Sequence, residues 1–110
     1  MTEKLKEVSS IATTDNYAEL ISVKVPPQVS QLLIRLKEEN TNSVLYKIQG
    51  AMDPDFTVAE DLKAETALTK NGSAYETIEE PWLYVRVLQK AAVAESQGAT
   101  SCVISGSLKP

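Results

Sequence analysis

Ser30–Gly50, SQLLIRLKEENTNSVLYKIQG, is the stretch that decides the fold class. Leu32, Ile34 and Leu36 occupy one phase of a period-two alternation, with Gln31, Leu33, Arg35 and Lys37 in the other. Beyond the polar break at 38–43 the alternation resumes: Val44, Tyr46 and Ile48 oppose Leu45, Lys47 and Gln49. Side chains alternate across a strand and recur every three to four residues along a helix, so this pattern is that of strands with one buried face. The break reads as a loop of the sort that joins antiparallel strands.

The same pattern extends outward. In Trp82–Gln89, WLYVRVLQ, Leu83, Val85 and Val87 oppose Trp82, Tyr84, Arg86 and Leu88, and in Thr100–Ser105, Cys102 and Ile104 oppose Val103. Asn71-Gly72 is a hairpin signal, because a tight type I′ turn needs positive φ at both central residues. It predicts pairing of 61–70 with 73–80. Residues 94–99 read as the loop between the last two strands. Pro81 sits where a strand starts and a missing N–H is tolerated. The expected strands are 3–13, 18–25, 30–38, 43–50, 60–70, 73–79, 82–93 and 99–106. FTVAEDLKAETAL (56–68) has helix-favouring composition, so a short helical turn is expected near 57–62. The expected fold is a single all-β antiparallel sandwich, immunoglobulin-like or jelly-roll-like, with about seven or eight strands. Residues 1–16 are expected to form an N-terminal arm or first strand, and 17–110 the sandwich domain.

Composition narrows the function. The chain has 110 residues, a net charge of −4 and no histidine. Its eleven lysines and arginines are scattered rather than clustered, which argues against nucleic acid as a partner. Without histidine there is no Ser-His-Asp or Cys-His site and no His-ligated zinc. Catalysis by carboxylates, lysine or tyrosine is the remaining inventory, and the chain reads as a non-enzyme without cofactor or metal. The single cysteine, Cys102, allows no intrachain disulfide and reads as a buried thiol. No run approaches the length of a membrane span, and MTEKLKEVSS lacks the apolar core of a secretory signal.

Gln49–Thr57, QGAMDPDFT, brings Asp53 and Asp55 around Pro54, with Glu60 and Asp61 following. A calcium loop needs alternating oxygens and a central glycine, which this stretch lacks. Asp53 and Pro54 fit the first two positions of a turn, expected to carry the chain towards the next sheet. The charge clusters KEEN (37–40) and IEEPW (78–82) read as solvated strand ends. Leu33 and Leu45 lie opposite the main apolar phase of their strands, and Trp82 and Tyr84 share a phase. These four residues form a candidate interaction surface, either for other subunits or, through Trp82 and Tyr84, for a carbohydrate.

SVLYKIQGAMDPDF (43–56), followed by VAEDLKAETALTKNGSAYETIEEPWLYVRVLQKAAVAESQGATSCVISGS (58–107), resembles small β-sandwich accessory proteins from the structural gene clusters of tailed bacteriophages. Those chains run a Tyr-Lys-Ile-type strand into an Asp-containing turn. A Glu-Thr strand and a small-residue hairpin follow, then an aromatic-Val-Arg-Val strand and a last short strand ending in glycine. The resemblance spans about residues 17–106. It implies a virion component made in the host cytoplasm: a head decoration (cement) protein or a minor head or tail piece. It further implies no cofactor, and partners that are capsid or other virion proteins and further copies of itself in a homo-oligomer. Neither nucleic acid nor membrane is implied, and no catalytic or ligand residue carries over.

Overall fold

The computed structural model describes residues 1–109; Pro110, the last residue of the expected 17–110 domain, lies outside them. Eight strands are found: β1 (Thr2–Ala12), β2 (Ala18–Lys24), β3 (Val29–Glu38), β4 (Val44–Ala51), β5 (Glu60–Leu68), β6 (Ser73–Ile78), β7 (Tyr84–Ala91) and β8 (Ala99–Leu108). Each end falls within two residues of the position that the alternation predicts. They form two antiparallel four-stranded sheets, ordered β1-β8-β3-β6 and β2-β7-β4-β5.

The pairings β1·β8, β2·β7, β3·β6 and β4·β5 describe one long antiparallel ribbon whose tip is the β4–β5 loop. The ribbon is rolled up so that β3 also pairs with β8 and β4 with β7. This is the jelly-roll arrangement of two interlocked Greek keys, one of the two sandwiches anticipated above.

The topology corrects three local expectations. Asn71-Gly72 does not close a hairpin, because β5 pairs with β4 and β6 with β3. Asn71 has φ of 56° but Gly72 is not in the positive region, and Gly72 N–H donates to Thr69 O at 2.8 Å. The turn reverses the chain locally while passing it from one sheet to the other. The 38–43 break likewise crosses between sheets. QGAMDPDFT behaves in the opposite sense to its reading: β4–β5 is the one consecutive pair of the described strands that stays in a single sheet. A turn motif specifies reversal of direction; which sheet receives the next strand is set by long-range burial.

There is also no helix among the described residues, and β5 begins at Glu60. Pairing with β4 supplies partners for its backbone groups and overrides a helix preference worth only tenths of a kcal/mol per residue.

The core lies between the sheets. Ile34, Leu36, Val44, Ile48, Val85, Val87 and Ile104 are fully or almost fully buried, all in the inward phase of their strands. Each such aliphatic side chain contributes about 1.5–3 kcal/mol relative to exposure. The sandwich edge between β5 and β6 is tied across the layers. The Tyr46 hydroxyl donates to Glu76, and Lys63 Nζ lies 3.6 Å from the other Glu76 oxygen. Burial, then the Glu76 carboxylate, push the Tyr46 hydroxyl well above its ordinary value.

Candidate interaction surfaces

The two ends of the sandwich differ. At one end the inward phase turns polar: Thr13, Glu38, Gln89 and Thr100 are all buried. Glu38 continues the inward series Leu32, Ile34, Leu36, and is 0% exposed. Its carboxylate accepts N–H bonds from Asn71 (3.0 Å), Asn40 (2.7 Å) and Ala99 (3.1 Å). It therefore ties together the β3–β4, β5–β6 and β7–β8 connections. Burial opposes its ionisation, but the three backbone donors and nearby Lys37 outweigh it and hold the carboxyl below the ordinary range. KEEN is thus only partly a solvated strand end. Alternation carried on past Leu36 already places Glu38 inside, and that is the signal which composition obscured.

The other end is apolar. A groove of about 400 Å³ is lined by Val25, Pro26, Val29, Ile78, Trp82 and Leu83 among others. Trp82 precedes β7 and packs over Gly50, where a Cβ would come within 2.5 Å of its ring. Its indole N–H donates to Glu80 at 3.1 Å. Tyr84 begins β7, paired with Lys24 and Ala51. The two aromatics do not sit side by side on one strand: Trp82 plugs the interior end above inward-facing Gly50, whereas Tyr84 lies in the outward phase of β7.

Leu33 and Leu45 fall on opposite outer faces, since β3 and β4 belong to different sheets. The outer face around Leu45 is dressed by the chain itself. Tyr17 lies across it, with Lys47 and Lys90 at 4.8 and 4.9 Å from the ring centre, and its hydroxyl donates to Glu65 at 2.5 Å. Leu88, in the outward phase of β7, is 9% exposed. Further along, Phe56 is buried under the Arg86 guanidinium at 4.3 Å, and Arg86 donates twice to Gln49. Phe56 reaches this place because the ribbon tip is a tight turn. Phe56 N–H donates to Asp53 O, and Asp53 Oδ2 accepts from Thr57 N–H and its hydroxyl at 3.2 and 2.9 Å. The Asp53-Pro54 turn anticipated from the sequence is present.

The outer face around Leu33 exposes Arg35, Lys37, Tyr75 and Thr77 beside half-buried Leu33 and Val103. Its rows run Lys4–Ser105–Leu33–Thr77 and Glu7–Val103–Arg35–Tyr75. Tyr75 is 59% exposed with the Arg35 guanidinium 5.2 Å from its ring centre. Small hydroxyl side chains surround these larger ones. No group of three His, Cys, Asp or Glu side chains among the described residues could hold a metal ion. Among the described residues no helix is long and apolar enough to cross a membrane.

No family model and no curated protein matches the chain. Among the solved structures that it resembles are two that superpose over most of its length. One, PirA, superposes with a TM-score of 0.62 at 10% identity, over 92% of this chain and 93% of that one. The other is a chain from the Bacillus endospore appendages, which form a novel family of disulfide-linked pili. It superposes with a TM-score of 0.60 at 13% identity, over 99% of this chain and 88% of that one. At these identities the likeness establishes the two-sheet fold.

Proposed function

We propose that this chain is a non-enzymatic structural subunit that works through protein–protein contacts, including contacts with further copies of itself. The observation that carries this reading is the asymmetry of the two outer faces. One carries Tyr17 and Phe56 packed with their cationic partners, while the other leaves Arg35 and Tyr75 exposed beside half-buried Leu33 and Val103. Aromatic, arginine and aliphatic side chains gathered on one flat face have the composition of an interface centre.

Within that class, the resemblance over residues 17–106 supports a tailed-phage virion component, as a head decoration or a minor head or tail piece. The near full-length likeness to an endospore-appendage chain favours a second setting, a pilus-like appendage. Disulfide linkage does not transfer readily, because the sole cysteine, Cys102, is 1% exposed in the core. Carbohydrate binding through Trp82 and Tyr84 draws less support, since Trp82 is spent on covering Gly50.

Sedimentation of assembled particles from the producing cells tests the proposal. The chain is expected to pellet with virions or with filaments at a fixed ratio to their main protein, and which of the two decides the setting. Recovery of all of it in the supernatant, together with specific retention on a glycan array, would overturn the structural reading in favour of a sugar-binding module.

A further inference from the structure

The outer face around Leu33 has a counterpart elsewhere on the same molecule. The ribbon tip, residues 52–59, projects from the other sheet and exposes Met52 (59%) and Val58 (81%). Asp55 and Glu60 are exposed beside them, and no lysine or arginine occurs between Gln49 and Leu62. The tip is held in shape by the Asp53 side chain and by Phe56 anchored against Arg86. It is an acidic, partly apolar knob that needs little ordering to dock.

The face around Leu33 has the complementary character. Arg35 and Lys37 lie in the outward phase of β3, both exposed. Two hollows flank Arg35. One, of about 210 Å³, is lined by Thr2, Leu33, Arg35, Tyr75, Val103 and Ser105. The second, of about 450 Å³, is lined by Arg35, Lys37, Ser73, Ala74 and Tyr75. The carboxylates bordering this face are engaged: Glu7 with Lys4 at 3.1 Å, and Glu79 with Gln31 at 3.1 Å. A net positive, part-apolar surface thus stands on a chain of net charge −4.

We infer that the 52–59 tip of one copy docks on the outer face of β8-β3-β6 of the next, with Met52 and Val58 in the hollows beside Leu33 and Tyr75, and Asp55 and Glu60 against Arg35 and Lys37. This rests on the self-associating reading above and names its two surfaces. Because knob and socket are different patches, the contact is head-to-tail, and its repetition gives a ring or a filament rather than a two-fold dimer. Charge complementarity fixes orientation, and apolar contact supplies affinity.

The test uses two charge-reversed full-length variants, Arg35→Glu with Lys37→Glu and Asp55→Lys with Glu60→Lys. All four positions are exposed, so circular dichroism and unfolding midpoints are expected to match the parent. Light scattering is expected to show each variant alone associating roughly a hundredfold more weakly than the parent. An equimolar mixture is expected to recover association, because a reversed socket meets a reversed knob. Parent-like association of either variant, or loss in both without recovery on mixing, overturns the pairing while leaving self-association standing. A parent protein that is itself monomeric overturns the underlying reading as well.

Discussion

Glu38 is the residue on which most of one end of the molecule depends. Three backbone N–H groups from three connections end on its carboxylate, and Glu38 N–H itself donates to Gly72 O at 2.9 Å. Glu38→Ala leaves those part-buried donors without their acceptor, and the expected loss is on the order of 2 kcal/mol in urea unfolding. The sign of the pH effect follows from the depressed carboxyl. Its stabilisation is present above the unfolded-state value and is lost as pH falls through the lower folded-state value, where the unfolded chain binds the proton more readily. Unfolding free energy is therefore expected to decline on acidification below about pH 4–5, and Glu38→Gln to flatten that decline. Asp15 and Asp53, both held low by hydrogen bonds, act in the same direction and leave some slope in the variant. At Cys102, burial pushes the thiol up to about 12. A thiol reagent is expected to modify it only after unfolding, and reductant to leave any assembly unchanged. Fast labelling of the native protein would contradict its placement.

At the scale of elements, strands were far more legible than their pairing. Period two is a local property, so Leu32, Ile34 and Leu36 announce β3 without reference to anything else. Pairing is settled by which inward faces meet across the core, and nothing in Asn71-Gly72 or in Asp53-Pro54-Asp55 encodes that. Each turn therefore makes the other kind of connection: the motif with the hairpin signature crosses sheets, and the proline turn closes the hairpin. The phase of each candidate surface residue was legible in the sequence; its neighbours were not. Leu33 falls on the outer face of β8-β3-β6, but its neighbours there, Arg35, Tyr75 and Val103, come from three strands that only the topology brings together. β7 begins at Tyr84, and Trp82 just before it packs on Gly50, a tertiary contact that alternation does not report. That contact gives a direct prediction. Gly50→Ala places a methyl within 2.5 Å of the Trp82 ring and forces it outward. The expected cost is about 1–3 kcal/mol. A red shift in fluorescence should accompany it, read cleanly because Trp82 is the sole tryptophan. Unshifted emission and full stability would show that the ring does not fill that space.

The whole molecule is a ribbon rolled so that its tip, residues 52–59, and the outer face around Leu33 belong to different sheets. A jelly roll of this kind solves the problem of enclosing a core with two sheets and leaves two outer faces to be disposed of. Here one face is closed by the chain's own aromatic and cationic side chains, and the other is available. The proposed knob and socket lie on different sheets, which is the geometry that repeated head-to-tail contact requires. That geometry makes self-association the central claim, and it is most directly tested by light scattering coupled to size-exclusion chromatography across a range of loading concentrations at low ionic strength. Head-to-tail docking gives a mass above the 12.0 kDa of one chain that rises with concentration and falls when salt screens the Arg35 and Lys37 contacts. A mass of 12.0 kDa at every concentration and salt level would contradict it.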